Sequence, residues 1–215
     1  MRIRLLTLLA GAWVLAGCQT DGGGAAPVAA TPAAWSVPGG TSLSFRCPAA
    51  GTAIEFTNGA LTYRGADPAD PADPVVCLAT NAAGQEQRRL YDVWILPIED
   101  EGSLRRGFAP LWPLAPGRSA SYTFIGRTER HTTSRYTETW RVLRTETLEI
   151  GGSPRNTVVL QRRQEGMLGN NFLGTDTFWF DIEAGAFVKR DVGVTRDRSS
   201  GRPYEALSVA MPAGR

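Results

Sequence analysis

Side chains able to act as nucleophile, base or metal ligand are scarce in this 215-residue chain: three cysteines, one histidine and 21 carboxylates, set among 22 arginines and one lysine. A serine hydrolase needs a base beside its nucleophile. His131 is the sole imidazole, and it sits in the polar run Arg127-Thr128-Glu129-Arg130-His131, the composition of an exposed hairpin end. No G-x-S-x-G elbow, no G-x-x-x-x-G-K-[ST] loop and no G-x-G-x-x-G fingerprint occurs. One histidine without C-x-x-C or H-x-x-x-H leaves structural zinc short of ligands. Asp67, Asp70 and Asp73 recur every third residue between prolines. In a polyproline II conformation they would fall on one side, roughly 9 Å apart, too far to share a calcium ion. They read as a solvated loop whose prolines prevent strand pairing. Any two acids could meet in space as a glycosidase pair, but Glu99-Asp100-Glu101 reads as another solvated loop. No catalytic residue, metal ligand or cofactor is assigned, and the chain is not expected to be an enzyme.

The amino-terminal segment carries a different chemistry. Arg2 and Arg4 precede an apolar run over residues 5–15. That run is too short to cross the roughly 30 Å hydrocarbon core as a helix, and it fits the apolar region of an export signal. It ends in Leu15-Ala16-Gly17-Cys18. In these features the chain resembles bacterial lipoproteins, whose lipobox is Leu, two small residues and Cys. The resemblance implies that residues 1–17 are a signal peptide removed before Cys18. It implies that the Cys18 sulfur receives diacylglycerol, and that the new amino terminus takes a further, palmitate-type acyl chain. Gln19, where an Asp would retain a lipoprotein in the inner membrane, implies the outer membrane, facing the periplasm. With one cysteine committed to lipid, Cys47 and Cys77 remain, an even pair in an oxidising compartment, and a disulfide between them is expected.

Residues 18–34 contain no large side chain after Cys18 and read as a flexible tether. Sixteen such residues span roughly 20–25 Å on average, enough to hold a folded domain clear of the headgroups. From residue 35 on, the patterning is that of strands. Alternation of apolar and polar residues predicts strands over 41–47, 54–56, 60–64, 75–80 and 86–96, the last continuing through Tyr91-Asp92-Val93-Trp94 as a central core strand. Prolines and glycines over 97–117 forbid a long element there, apart from a single helical turn over 99–106. Further strands are predicted over 121–125, 135–143 continuing in parity to Leu148 and Ile150, 157–163, 175–182, 187–192 and 204–211. Tyr136, Glu138, Trp140 and Val142 share one face, and Phe178, Phe180 and Ile182 another, with Trp179 opposite. No sustained 3.6-residue apolar stripe occurs, so helix should be minor. The expected class is all-β: antiparallel meander sheets forming a sandwich or a partly open barrel, either as two β subdomains or as one long domain.

Residues 35–102 read as an acidic amino-terminal half and 103–215 as an arginine-rich half. From residue 19 to 102 there are 4 Arg against 10 acids, and from 103 on 17 basic residues against 11 acids. Without residues 1–17 the chain is formally neutral, which leaves no charge excess for nucleic acid. The asymmetry fits two halves that pack and neutralise each other, or an arginine-rich face turned to an anionic surface. Trp35-Ser36-Val37-Pro38-Gly39 and Trp112-Pro113-Leu114 each precede a strand, as an old duplication would leave them. Trp35 and Trp112, beside Pro and Gly, are candidate binding aromatics that could stack on a sugar or partner. The Leu111-Trp112-Pro113-Leu114 lead-in to Gly117 and the aromatic hairpin from Phe178-Trp179-Phe180 to Phe187-Val188-Lys189 also resemble β-rich proteobacterial envelope lipoproteins, a likeness that implies a β fold and an envelope location and no activity.

The leading expectation is therefore a lipid-anchored, non-catalytic β module that binds or scaffolds an envelope protein, glycan or lipid. A second is a carrier whose curved sheet encloses an apolar ligand between the Trp140 and Phe178 faces. A third is an envelope hydrolase.

Overall fold

The structure, a computed structural model, describes residues 43–127, 133–196 and 201–213. Eleven strands form a single antiparallel sheet: β1 (Ala53–Phe56), β2 (Gly59–Ala66), β3 (Val76–Asn81), β4 (Glu86–Leu90), β5 (Trp94–Leu96), β6 (Ser119–Arg127), β7 (Thr133–Ile150), β8 (Ser153–Gly166), β9 (Leu173–Asp181), β10 (Ala186–Arg196) and β11 (Tyr204–Ala210). Their spatial order is β5-β4-β3-β2-β1-β11-β10-β9-β8-β7-β6. Two meanders, β1–β5 and β6–β11, are thus joined where the first strand pairs with the last, Ala53 opposite Ala210 and Ile54 opposite Val209. The sheet does not close into a barrel, and β5 and β6 are its two edges.

A linker carries the chain from one edge to the other. Its helix α1 (Glu101–Phe108) has two turns rather than the single one expected, and a 3-10 turn (Ala109–Leu111) follows. Asp100 caps the helix by accepting from the Ser103 amide, while its other carboxylate oxygen accepts the edge amide of Ile125 on β6. One short side chain thus satisfies an orphan helix donor and an exposed strand donor. Leu104 and Phe108, one helical turn apart, are fully buried. The Phe108 ring lies 4.9 Å from Trp94 on β5 and 5.1 Å from Trp140 on β7, so the linker fills the space between the two ends of the sheet.

Two apolar cores result. The larger gathers Leu90, Trp94, Phe108, Trp140, Leu160 and Phe178. The smaller gathers Ile54, Tyr63, Ile150, Val159 and Trp179. The long strand β7 serves both. Tyr136, Glu138, Trp140 and Val142 face the larger core as their parity predicts, but Ile150 packs in the smaller one. A bulge between Val142 and Arg144 is the cause. One extra residue turns every later side chain to the opposite face.

Two other expectations differ from the structure. Residues 43–47 are not a strand, although Cys47 is bonded to Cys77 and Phe45 stacks edge-on against Trp112 at 5.0 Å. The predicted strand 86–96 is broken after Leu90, because Tyr91 and Asp92 adopt left-handed backbone angles, φ 50° and 56°. Its continuation, β5, is an edge strand, and its Ile95 is 51% exposed. The two halves exchange charge in at least one place, where Arg105 of α1 donates to Asp73 at 2.6 Å.

Candidate functional site

The left-handed step at Tyr91 and Asp92 returns the chain beneath the end of β4 and brings the Asp92 carboxylate under Arg89. Asp92 Oδ1 accepts from Arg89 Nε and from the Tyr63 hydroxyl, both at 2.8 Å. Asp92 Oδ2 accepts the Phe187 amide of β10 at 3.0 Å. Arg89 Nη2 donates to the Asp92 carbonyl at 3.0 Å and Nη1 to Gln87 Oε1 at 3.1 Å. The carboxylate is 1% exposed and the guanidinium 14%. Burial opposes the charge on Arg89, but the adjacent Asp92 and Tyr63 outweigh it and the guanidinium pKa is raised. Burial, followed by the Asp92 charge, pushes the Tyr63 phenol well above its ordinary range. Tyr63 is therefore a neutral donor at any physiological pH.

Above this pair lies a groove of about 410 Å³. Its walls come from the β1–β2 turn at Asn58, from Ala60 and Leu61 of β2, from Gln87 of β4 and from Tyr204 of β11, with Arg89 at its floor. Asp92 lies outside the lining, and no carboxylate contributes to it. Arg89 has five N–H groups, and the contacts above occupy three. The Tyr204 hydroxyl and the Asn58 side chain have no hydrogen-bond partner among the described residues. Burial, then Asp92, raises the Tyr204 pKa, so it too stays protonated. Among the described residues the groove thus offers free donors and the guanidinium end of an ion pair, with no carboxylate in its lining.

A second charged array lies on the inner face of β7–β10. Glu138 Oε1 accepts from the Tyr122 hydroxyl at 2.7 Å and from the Trp140 indole. Arg162 donates through Nε to Asp176 at 2.9 Å, approaches Glu138 Oε2 at 3.9 Å, and lies over the Trp140 and Phe178 rings. Arg190 donates to the same Asp176 oxygen at 3.1 Å. Burial and the like charge of Arg162 lower the Arg190 pKa. Glu138 is 0% and Asp176 3% exposed. These carboxylates hold a polar layer inside an aromatic core and present no open face.

Of the residues singled out from sequence, Cys47 and Cys77 form the expected disulfide, Cα to Cα 5.3 Å. Trp112 is half-buried among Phe45, Tyr91 and Phe180, and its ring is taken up by packing. Cys18, Trp35 and His131, with the signal and tether, lie outside the described residues. The Trp140 ring is fully buried against Trp94, Phe108 and Phe178, so the apolar cavity expected at the Trp140 and Phe178 faces is filled by side chains. The Asp67–Asp73 loop is less solvated than its composition suggests: Asp67 is buried and binds Arg88 at 2.7 Å, and Asp73 binds Arg105. Sequence reasoning passed over Arg89, Tyr204 and Asp92 as site residues. Asp92 did leave a signal, a single acid within an otherwise apolar run, which marks a buried pair when the run is core.

Among the described residues no helix is long and apolar enough to cross a membrane. No protein-family model matches the chain, and no curated protein matches it. Among solved structures, the hypothetical lipoprotein YmcC from Escherichia coli (K12) is similar at 14% identity and a TM-score of 0.48, over 78% of this chain and 89% of that one.

Proposed function

We propose that the protein is a lipid-anchored envelope lipoprotein whose β domain binds a ligand or partner at the Arg89–Tyr204 groove without transforming it. The anchoring half of this reading rests on the lipobox Leu15-Ala16-Gly17-Cys18 after its short apolar run. Several acyl chains hold a domain at a membrane far more firmly than one. The Cys47–Cys77 bond is of the kind an oxidising compartment allows. Gln19 favours the outer membrane and a periplasmic orientation.

One observation carries the binding half: a donor-lined groove of about 410 Å³ placed over a buried ion pair. That volume lies in the range of small-molecule sites. The carrier reading has less support, since rings fill the face it needs.

Labelling cells with a clickable fatty acid tests the anchor. The protein should take up label and fractionate with membranes, and Cys18→Ser should abolish both. Unlabelled wild-type protein, or an unchanged Cys18→Ser distribution, would refute the anchor and leave the groove to be judged by itself.

A further inference from the structure

We infer that the groove over Arg89 is a carboxylate site, which takes the acid group of a small ring-bearing or dipeptide-sized molecule. The inference rests on the reading that this groove binds rather than reacts, and it names what is bound. Three observations carry it.

The first is the direction of the buried pair. Asp92 sits beneath, 1% exposed and outside the lining, while Arg89 lines the groove at 14% exposure. The pair is neutral as a whole, yet it turns its positive end to the ligand space. The second is the inventory of free groups. Two Arg89 N–H groups, the Tyr204 O–H and the Asn58 amide are uncommitted among the described residues, and no lining carboxylate competes for them. Uncommitted donors around a guanidinium, with no acid in the lining beside them, match an anionic acceptor; a carboxylate takes such bonds in the charge-assisted form. The third is rigidity. Asp92 and Gln87 fix the guanidinium plane on two sides, so little rotamer freedom is left to lose on binding. Leu61 offers an apolar wall for the body of the ligand.

Such an acid could come from an acidic sugar or from a peptide terminus, and the test separates the two. The detergent-solubilised mature lipoprotein is titrated calorimetrically with sodium glucuronate and with N-acetyl-alanyl-alanine. Each is paired with its neutral counterpart, glucose or the dipeptide amide. One acid should bind with a Kd on the order of 1 mM, as its few heavy atoms permit. It should bind about tenfold or more tighter than its neutral partner, the size of one charge-assisted hydrogen bond. Tyr204→Phe should weaken it about fivefold, and Ala60→Trp, which fills the groove, should abolish it. Both variants leave the Arg89–Asp92 pair in place, and urea unfolding confirms that they are folded. Equal affinity for an acid and its neutral partner overturns the carboxylate assignment while the groove stands as a binding site. Acid binding untouched by both variants places the site elsewhere and also overturns it. Binding of no probe overturns the inference and the binding reading together.

Discussion

Replacing Asp92 removes the acceptor on which three groups converge. In Asp92→Ala the Arg89 guanidinium, 14% exposed, keeps its charge without its partner, and the Tyr63 hydroxyl and Phe187 amide lose their acceptors. Breaking one side of a buried ion pair costs about 3–5 kcal/mol. Alanine at φ 56° adds about 1 kcal/mol of backbone strain that aspartate and asparagine bear more easily. The sum, about 4–6 kcal/mol, is a large share of the roughly 5–15 kcal/mol that holds a domain folded. At about 2–4 °C per kcal/mol for a domain of this size, the melting temperature should fall by about 8–24 °C. Asp92→Asn keeps the backbone preference and two acceptor lone pairs, and should cost about half as much. Tyr63→Phe removes one hydroxyl and should cost about 1 kcal/mol. Urea unfolding at pH 7 gives the three values. The double replacement Asp92→Ala with Arg89→Met should be less damaging than the sum of its parts, because it removes the stranded charge. An Asp92→Ala cost below about 1 kcal/mol, or strict additivity in the double variant, would refute the buried-pair account.

Other perturbations test separate parts of the structure. The Cys47–Cys77 bond closes a loop with a sequence separation of 30, so Cys47→Ser with Cys77→Ser should lower stability by about 3–4 kcal/mol by loop entropy; two alkylatable thiols in the native domain under non-reducing conditions would contradict the bond itself. A Cβ at Gly107 would overlap Tyr122 Cβ and Cγ where α1 lies on β6, so Gly107→Ala should cost about 1–3 kcal/mol in a thermal melt, and Tyr122→Ala, which removes the ring overlap but keeps the Cβ one, should lessen that added cost only in part. Asp67 is held below its ordinary pKa of 3.8 by the Ala69 amide and by Arg88. Its folded form therefore releases a proton at lower pH than the unfolded chain does. The stability it contributes is present above about pH 4 and is lost as pH falls through the lower, folded value. Unfolding curves between pH 5 and pH 2 should be shallower in Asp67→Asn, and identical slopes would deny the link.

What the sequence disclosed depended on whether a local pattern controlled the outcome. Strands β7 and β9 were readable because alternation is local: Trp140 and Phe178 face one core and Trp179 the other, as parity requires. The run 86–96 misled because its hydrophobicity is that of a strand throughout, while two consecutive left-handed residues turn the chain within it. Tyr91 is no turn former, and Asp92, which tolerates left-handed angles, was the one residue there that could have announced the break. The same holds at Leu143, where a bulge exchanges the two cores without any change in composition. The aspartates at 67 and 73 looked like solvated loop residues because their partners, Arg88 and Arg105, lie 21 and 32 positions away. Charge pairs at such separations leave no periodic trace.

The placement of the groove follows from the same distinction. Within each meander, neighbours in space are neighbours in sequence, and hairpin turns set their register. The seam between the meanders has no turn. There β11 pairs with β1 over Ala53–Phe56 on one side and, among the described residues, with β10 at Lys189 opposite Glu205 and Arg190 opposite Tyr204 on the other. Side chains also cross between the meanders. Asp92 does this by binding the Phe187 amide across a separation of 95 residues. The acceptor that ties the meanders together is also the one that orients Arg89 toward the groove, so site and seam share one residue. A variant that loosens the seam should therefore blunt recognition before it unfolds the domain, whereas damage to the Gly107–Tyr122 contact, made on α1 and β6, should lower stability and leave the groove's affinity unchanged.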